Sequence, residues 1–399
     1  MDITAVIITK NERSNLRQCL EALSGLGIPV VVCDTGSSDG SPELAAGMGA
    51  KVCHFTWCDD FSAAKNYAAS QAESDIILSL DTDEFISEAD KTLLERIIHQ
   101  HPNDIGRIHL RNRFTYDGEV RYSDERLPRI YDRRFFQFEG RVHEQLSQVK
   151  DAVLLEEGPI PGDLGGVGEQ SGSRCAAELS YYDAPVTVIH VGYDLSEDEK
   201  KKKADRNLRL LEQELEEFLG EQGQLGTDLE QRDPGGPAGE ADCQERGAYI
   251  YYQIGKSHYM AGRFPEAAEA FGHGLEFDVD ERRDFLVDMV TSYGYALVNS
   301  GREQEALALL GVEDTFRSDA DFEFVLGLIC MRTARFDEAI EHFDMAASLP
   351  TSRVEGASSY LAYYNAGVVL ECLGRTPEAL NYYRKCGSYI KAQERINAL

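Results

Sequence analysis

Three carboxylates follow an apolar run in the segment ILSLDTDEFI, residues 77–86. Asp81 and Asp83 are two positions apart, so on an extended backbone both side chains would point to the same side. Two convergent carboxylate oxygens suit a hard divalent cation such as Mg²⁺ or Mn²⁺. The alternative is an acidic turn that simply ends a strand, because a D-x-D pattern recurs by chance in an acidic protein. The position directly after an apolar strand favours metal binding.

A second candidate is Asp34, in the segment VVVCDTGSSDGS, residues 30–41. It ends an apolar run and precedes a turn rich in glycine and serine that opens a helix. A carboxylate at this place can accept hydrogen bonds from a ribose or a base N–H, as acidic residues do in nucleotide-binding α/β folds. The alternative is a tight turn built from its usual residues. The sequence leaves both interpretations open.

Two further segments bring polar groups to the same region. The segment ITKNERSNL places four polar residues where the first apolar run ends: Thr9, Lys10, Asn11 and Glu12. The segment DDFSAAKNYA places Lys65 on a helix, where its ammonium group could reach a diphosphate. An ordinary surface lysine is the alternative interpretation of Lys65.

The elements that must position these groups alternate between strands and helices up to about residue 150. Four apolar runs predict fully buried strands over residues 4–9, 30–33, 51–55 and 75–80. Such alternation predicts a mostly parallel sheet covered by helices. Ligands of these sheets bind outside the carboxyl ends of the strands. Asp34 and Asp81 both lie at that edge, which is the expected place for site residues.

Helical periodicity occupies the intervals between these strands. Apolar residues recur at helical spacing at three positions: Leu16, Leu20 and Leu23. Ser41 followed by a proline is typical of a helix N-cap with proline at the first helical position. Residues 61–72 form a third, alanine-rich helical pattern. These helices are predicted to cover the sheet.

Two stretches rich in glycine and proline divide the rest of the chain. Residues 156–173 predict a loop, and residues 220–243 predict a flexible linker. Between them runs a helical pattern with one apolar stripe, formed by Leu208, Leu211, Leu215 and Leu219. We therefore expect a helical connector and a linker over residues 196–245.

The last third of the sequence repeats a pattern four times. Each unit has a glycine, an alanine twelve residues later and a large residue sixteen residues later: Gly255, Ala267 and Phe271; Gly294, Ala306 and Leu310; Gly327, Ala339 and Phe343; Gly367, Ala379 and Tyr383. Small residues let two antiparallel helices approach closely, and the large residue is expected to fill the gap between successive helix pairs. The pattern resembles the tetratricopeptide repeat. It predicts an all-α solenoid over residues 246–399 that binds or organises a partner and performs no chemistry.

The overall composition excludes several classes of protein. Among 399 residues there are 70 acidic and 40 basic side chains, which give a formal net charge of −30 and disfavour nucleic acid or anionic membranes as partners. The nine cysteines are scattered and form no C-x-x-C pair, which argues against disulfide scaffolds and zinc fingers. No apolar run approaches the roughly 20 residues of a membrane span. The chain enters its first strand without a basic, apolar leader, which predicts a cytoplasmic location.

The ordered segments VIITKNE, VVVCDTGSSDGS, DDFSAAKNYA and LSLDTDEF resemble the inverting nucleotide-sugar glycosyltransferases of family 2, which have a GT-A fold. The resemblance covers roughly residues 1–195, and the ensemble is far more specific than any one segment. FSAAKN shortly before LSLDTDE looks especially like the subgroup that includes lipopolysaccharide-core glucosyltransferases and bacteriocin S- or O-glycosyltransferases. Several similar proteins also carry C-terminal tetratricopeptide repeats.

The resemblance implies a role for each matching residue. Asp34 would bind the uracil or ribose, and Asp81 would contact the ribose or sugar side of the donor. Asp83 would hold a metal that bridges the two phosphates, where the cation neutralises charge on the departing nucleoside diphosphate. The complete set of donor-binding residues implied in this way is Thr9, Asn11, Glu12, Asp34, Lys65, Asp81 and Asp83.

An inverting transfer also needs a base that deprotonates the acceptor. Glu144, in FEGRVHEQL, matches the place of the family's acidic base, although the common form there is Glu-Asp and here it is His143-Glu144. Glu84 is the second candidate. A purely structural role for the His143-Glu144 pair is the alternative.

Two other groups in this region have open roles. Three arginines, Arg129, Arg133 and Arg134, are expected either to clamp phosphate or to face water. His190 leaves an apolar strand in VTVIHVGYD, where a lone histidine is usually a core or edge residue. In GT-A enzymes, however, a late histidine commonly completes the metal site with the D-x-D motif. We therefore predict that His190 and Asp83 share Mn²⁺ or Mg²⁺.

The resulting prediction is a GT-A-type α/β domain over residues 1–195, the connector over 196–245 and the repeats over 246–399. The protein would transfer a sugar from a UDP-linked donor to a peptide or protein that the repeats help to recognise. The alternatives are a cell-envelope glycan acceptor and an inactive repeat scaffold. The repeats could also mediate self-assembly, since stacked helix pairs form extended concave surfaces.

Overall fold

The structure is a computed structural model that describes residues 3–116, 119–149, 179–192, 196–225 and 237–399. It divides into two units. Unit 1 comprises Met1–Val120 and Glu125–Asp194, and unit 2 comprises Arg121–Asp124 and Leu195–Leu399. The loop predicted over residues 156–173 lies outside the described residues. The three-part division into 1–195, 196–245 and 246–399 stays a prediction.

Unit 1 is built on a sheet of eight strands with a two-stranded sheet beside it. The strands are β1 (Ile3–Thr9), β2 (Val30–Asp34), β3 (Lys51–His54), β4 (Ile76–Leu80), β5 (Glu84–Ala89), β6 (Ile105–Tyr116), β7 (Glu119–Asp132), β8 (Phe136–Glu139), β9 (Gln145–Gln148) and β10 (Tyr181–His190). The large sheet has the order β3-β2-β1-β4-β7-β6-β10-β5, and β8 pairs with β9. The β1–β2, β1–β4, β2–β3 and β6–β10 pairs are parallel.

The fold class predicted from the sequence is therefore confirmed for this region: a mostly parallel sheet that alternates with helices. Antiparallel pairing occurs between β4 and β7 and between β10 and β5. One detail of the prediction is wrong. Strand β3 is not fully buried, because it is the last strand at its edge of the sheet and its residues are exposed or half-buried. An edge strand has a sheet neighbour on one side only.

Helices α1 (Arg13–Ser24), α2 (Ser41–Gly47), α3 (Phe61–Ser70) and α4 (Lys91–Gln100) cover the sheet. Alternate residues of β1 enter two separate cores: Ile7 packs with Leu16 and Leu20 of α1, and Val6 packs with Ala68 of α3. The predicted N-cap of α2 is displaced by one residue. Gly40 occupies that position with a φ of 82°, a backbone conformation that glycine adopts without steric cost.

Unit 2 is mainly helical in its described residues from 196 onward. Its helices are α5 (Glu197–Leu225), α6 (Pro237–Met260), α7 (Phe264–Gly274), α8 (Asp284–Asn299), α9 (Glu303–Ala306), α10 (Glu313–Phe316), α11 (Ala320–Arg332), α12 (Phe336–Ser348), α13 (Tyr360–Cys372), α14 (Thr376–Lys385) and α15 (Ile390–Ala398). The flexible linker predicted over 220–243 is wrong at its two ends, since 220–225 and 237–243 are helical. None of the described helices is long and apolar enough to cross a membrane.

The stripe predicted on α5 is confirmed in its first half only. Leu208 and Leu211 are buried, whereas Leu219 is 51% exposed and Phe218 is buried in its place. Residues 204, 208, 211, 215 and 218 follow one helical face more closely than the predicted set. Because an α-helix has 3.6 residues per turn, spacings of four and three residues must alternate if side chains are to stay on one face over four turns.

The repeat pattern is confirmed by the packing of its glycines and alanines. The four alanines, Ala267, Ala306, Ala339 and Ala379, are fully buried. A Cβ added at Gly327 would lie 2.6 Å from the Phe343 ring, and one at Gly367 would lie 2.7 Å from the Tyr383 ring. The predicted partner of Gly294 is wrong. The 3₁₀ turn over Leu307–Val312 follows α9, and Leu309 rather than Leu310 faces this glycine, 3.1 Å from an added Cβ.

Gly327→Ala is expected to destabilise the repeats by about 1–3 kcal/mol, because the new methyl group would overlap the ring of buried Phe343. Chemical denaturation of the full chain measures this change. Gly311→Ala is the matched control, since a Cβ there would meet nothing within 4 Å. Equal stabilities of the two variants would contradict the close helix contact.

Candidate active site

Strand register brings the candidate residues of β1, β2 and β4 to one edge of the sheet. Thr9 pairs with Asp34, and Asp34 pairs with His54 in β3. On the other side of β1, Ile7 pairs with Leu80, which immediately precedes Asp81. The carboxyl ends of these parallel strands therefore align. This is the edge at which α/β sheets bind ligands.

Asp34 organises the turn that follows it. Its carboxylate accepts hydrogen bonds from the backbone N–H groups of Gly36 and Ser37, each at 3.1 Å. Gly36 has a φ of 107°, which is a conformation that L side chains rarely adopt. His54 Nδ1 lies 3.5 Å from Asp34 Oδ2. The residue therefore performs the turn-forming role that the sequence left open, and it does so at the sheet edge.

The residues after β1 hold the same turn from the other side. Asn11 Oδ1 accepts from the Ser38 N–H at 2.8 Å, and the Asn11 N–H donates to Ser37 Oγ at 2.9 Å. Glu12 lies at the N-terminus of α1, where its Oε2 accepts from Asn15 Nδ2 at 2.9 Å. Thr9 Oγ1 is buried and has no hydrogen-bond partner among the described residues. Asn11 thus braces the turn from the surface, and Thr9 lies buried at the end of β1.

Lys65 belongs to a buried ion cluster. Its Nζ lies 2.9 Å from Asp81 Oδ1 and also contacts the carboxylate of Glu144. Burial by itself would lower the pKa of Lys65, but the charges of Asp81 and Glu144 raise this pKa above its usual value. The residue is 2% exposed, so the interpretation as an ordinary surface lysine is wrong.

Arg129 brings a second cation to the same cluster. Its Nη2 donates to Asp81 Oδ2 at 3.0 Å and to Glu84 Oε1 at 2.6 Å. Burial by itself would raise the pKa of Asp81, but the charges of Lys65 and Arg129 hold it well below its usual range. Each oxygen of Asp81 therefore faces one cation, which favours its ionised form.

The expectation that Arg129, Arg133 and Arg134 clamp phosphate or face water is wrong for Arg129, which is buried on two carboxylates. Arg133 donates to the carbonyl groups of Ala69 and Ser70 at the end of α3. Arg134 pairs with Asp132 at 2.6 Å. These side chains stabilise the sheet and its neighbouring helix.

The two candidate bases have different surroundings. Both oxygens of Glu84 are occupied, Oε1 by Arg129 and Oε2 by the Asp81 N–H at 3.0 Å, and the residue is 2% exposed. Glu144 follows His143, whose φ of 54° is strained for a residue with a side chain. Its carboxylate contacts Lys65 and is 9% exposed. Of the two, Glu144 retains the greater access.

Asp83 and His190 meet at the end of β10. His190 Nε2 lies 3.2 Å from Asp83 Oδ2, and the Val191 N–H donates to the Asp83 carbonyl group at 3.1 Å. A Cβ added at Gly192 would lie 2.5 Å from Asp83 Oδ2 and would overlap His190 Nε2. The glycine thus leaves space around a carboxylate oxygen and an imidazole nitrogen. These donors fit a divalent cation such as Mn²⁺.

A separate group of three possible metal ligands occurs in unit 2. One ligand atom from each of Glu313, Glu323 and His342 lies within 4.8 Å of the others. Burial by itself would lower the pKa of His342, but hydrogen bonds to Cys330 and Glu323 raise it to about 9. His342 Nδ1 lies 2.8 Å from Glu323 Oε2, so these two residues form a buried ion pair between α11 and α12.

Sequence reasoning missed three residues of the site. Asn112 of β6 contacts His190, Glu125 of β7 contacts Asn112, and Gly192 leaves the space beside Asp83. The available signal for Asn112 was its position in the alternating pattern of β6, where it follows buried Ile108 and Leu110 on the same face. Nothing in the local sequence indicates its partners, because they are 13 and 78 residues away.

Comparison with known proteins finds a family match in the first part of the chain. Residues 4–146 match the family described as Glycosyl transferase family 2. This region contains Asp34, Asp81, Asp83 and Glu144, so the resemblance inferred from the sequence motifs is confirmed. Part of unit 1 therefore matches a family 2 glycosyltransferase domain, and helices with the tetratricopeptide-like pattern occur in unit 2.

Two curated relatives each match part of this chain. A TPR repeat-containing protein of Synechococcus elongatus is 31% identical over 221 residues, which are 55% of this chain and 48% of that protein. An uncharacterized glycosyltransferase of Rickettsia conorii is 28% identical over 160 residues, which are 39% of this chain and 55% of that protein. The chain thus spans about half the length of the curated relatives it matches.

Among solved structures, the chain is similar to YrrB, a TPR protein with an unusual peptide-binding site. The two are 20% identical, and the match covers 40% of this chain and 78% of that protein with a TM-score of 0.33.

Proposed function

We propose that the protein is a metal-dependent, inverting glycosyltransferase that takes a sugar from a UDP-linked donor. The observation that carries this proposal is the arrangement at the carboxyl edge of the sheet. There Asp81 is held ionised by Lys65 and Arg129, and two positions later Asp83 faces His190. This arrangement lies in the region that matches the glycosyltransferase family.

Each part of the edge would perform one task. The rim formed by Thr9, Asn11, Glu12 and Asp34 would bind the nucleoside, and Asp81 would contact the ribose or the sugar. Asp83 and His190 would hold Mn²⁺ or Mg²⁺. When bound, the cation would neutralise charge on the departing nucleoside diphosphate. Lys65 would hold the carboxylates of Asp81 and Glu144 in place and would not touch the diphosphate, because its Nζ already lies between these two carboxylates.

Glu144 is the proposed general base. The acceptor's oxygen or sulfur would attack the anomeric carbon from the face opposite the diphosphate and form the new glycosidic bond. The bond from the anomeric carbon to the phosphate oxygen would break, and the acceptor proton would pass to a Glu144 oxygen. The nucleoside diphosphate leaves with the bonding electron pair, so the configuration at the anomeric carbon inverts.

Glu144→Gln is expected to lower kcat by roughly 10²–10⁴-fold, because the amide cannot accept the proton. Donor affinity should change by less than about threefold, which is small compared with the loss in kcat. Steady-state kinetics and a donor titration separate the two quantities. Glu139→Gln, at an exposed carboxylate of β8, is the matched control. Unchanged kcat in Glu144→Gln would assign the base to another residue.

The acceptor is proposed to be a peptide or protein that the repeats help to recognise. Stacked helix pairs generate extended surfaces suited to such partners, and the repeat packing supports a solenoid of this kind. A cell-envelope glycan is the alternative acceptor. A scaffold without activity is the alternative of a different class, and the buried, fully paired Asp81 cluster weighs against it.

Incubation with a panel of nucleotide sugars, with and without Mn²⁺ or Mg²⁺, tests the proposed activity. We expect metal-dependent release of a nucleoside diphosphate from one of the UDP-sugars, even without acceptor. If no donor is bound or hydrolysed with either metal, while residues 246–399 alone retain a protein partner, the scaffold alternative replaces the enzyme.

A further inference from the structure

His190 is connected to two residues behind the proposed metal site. Its Nδ1 lies 2.7 Å from Asn112 Oδ1, and Asn112 Nδ2 donates to Glu125 Oε1 at 2.8 Å. Asn112 is 3% exposed in the middle of β6, whereas Glu125 lies on the exposed side of β7. Together with Asp83 these residues form one chain of contacts, which we call the Glu125–Asp83 chain.

The chemistry of these groups fixes the direction of the hydrogen bonds from Glu125 through Asn112 to His190 Nδ1. An ionised carboxylate only accepts, so Glu125 must face the amide NH₂ of Asn112. The amide oxygen of Asn112 is then directed at His190 and also only accepts. Nδ1 of His190 must therefore carry a proton and donate it to Asn112. In the neutral imidazole, Nε2 is left with a lone pair.

That lone pair faces a second acceptor. Nε2 lies 3.2 Å from Asp83 Oδ2, and these two atoms attract one another when either a proton or a metal cation lies between them. Gly192 keeps side-chain atoms out of this space. A divalent cation satisfies both atoms, and metal-bound histidines typically donate their other ring N–H to an oxygen acceptor in this manner.

We propose that Asn112 and Glu125 are positioning residues that set the tautomer and orientation of His190, so that Nε2 and Asp83 bind a divalent cation. The inference rests on the proposed function, because the cation is the one that the transferase would use. Glu125 acts on His190 only through Asn112. Neither residue touches the substrate.

The test measures Mn²⁺ binding by the full chain, from the electron paramagnetic resonance signal of free Mn²⁺. Asn112→Ala should raise the Kd for Mn²⁺ by roughly 10–100-fold. Asn112→Asp alone should also weaken binding, because its carboxylate would face Glu125. Adding Glu125→Gln to Asn112→Asp restores a donor-to-acceptor chain, since the glutamine amide can donate to the aspartate. This double variant should bind within about threefold of the wild type, as the restored acceptor at Nδ1 would allow.

A second readout follows the histidine itself without metal. The ¹⁵N chemical shifts of His190 should show a protonated Nδ1 in the wild type and in the double variant, and a shift of the tautomer population in Asn112→Ala. Asn381→Ala, at an exposed asparagine of α14, controls for a general effect on the chain. If Asn112→Ala does not fold, Glu125→Gln, at an exposed position, gives the same comparison with a smaller expected loss.

The outcomes separate this inference from the proposed function. Wild-type Mn²⁺ affinity in a folded Asn112→Ala variant, or a double variant that folds without recovering affinity, would overturn the positioning role. Mn²⁺ binding that follows the predicted order, without any sugar transfer, would support the positioning role and contradict the transferase. A wild-type chain that binds no Mn²⁺ would contradict both.

Discussion

Replacing Asp83 with asparagine is expected to lower metal-dependent donor turnover by roughly 10²–10³-fold, through loss of the group that anchors the cation at the diphosphate. The variant keeps the shape of the side chain but removes the charge opposite His190, which lies 3.2 Å away. Because the cation would act on the departing nucleoside diphosphate, kcat should fall together with kcat/KM. Product release from the donor measures this effect.

The control for Asp83→Asn is Asp75→Asn. Asp75 immediately precedes β4, at the opposite end of that strand, and its side chain is 43% exposed. The Asp75→Asn substitution removes the same charge and should leave turnover unchanged. The expected loss of turnover in Asp83→Asn exceeds roughly 10²-fold. A folded variant whose turnover stays within about threefold of the wild type would therefore contradict the proposed metal site.

Arg129→Met is expected to destabilise the protein by about 3–5 kcal/mol, because it leaves a buried carboxylate without its cation. Glu84 is 2% exposed and accepts from Arg129 at 2.6 Å. The loss would appear in the free energy of unfolding from denaturant titration. Since Asp81 keeps its contact with Lys65, the larger part of the loss should come from Glu84.

A double variant identifies the cause of that loss. Arg129→Met with Glu84→Gln removes both charges of the buried pair and should recover at least half of the lost stability, as neutral replacements of buried ion pairs commonly do. Arg17→Met is the control, since Arg17 and Glu21 form an exposed pair on α1 that is worth less than about 1 kcal/mol. If Arg129→Met lowered the free energy of unfolding no more than Arg17→Met does, the residues of the buried cluster would not be electrostatically coupled.

Much of the sheet edge could be predicted from the sequence because its signals are local. Apolar runs that stop at Asp34 and Asp81 define both the strands and the edge where their carboxyl ends align. The spacing of Asp81 and Asp83 is equally local. The glycine and alanine positions of the repeats follow from helix packing between neighbours in the chain, and their burial confirms them.

The parts that could not be predicted depend on contacts between distant residues. Lys65 belongs to a helix whose sequence does not reveal that Asp81 and Glu144 will enclose its ammonium. Arg129 is 48 residues from Asp81, and a phosphate clamp and a buried counter-ion have the same sequence pattern. The exposure of β3 depends on its place at the edge of the sheet order, which periodicity within the strand does not specify.

Titration of the wild-type protein with UDP, in the presence and absence of Mn²⁺, tests the central claim most directly. Isothermal titration calorimetry should show one UDP bound per chain with Mn²⁺, and chelation of the metal should abolish or strongly weaken this binding. Absence of UDP binding under both conditions, or equally strong binding with and without metal, would contradict a metal-dependent donor site.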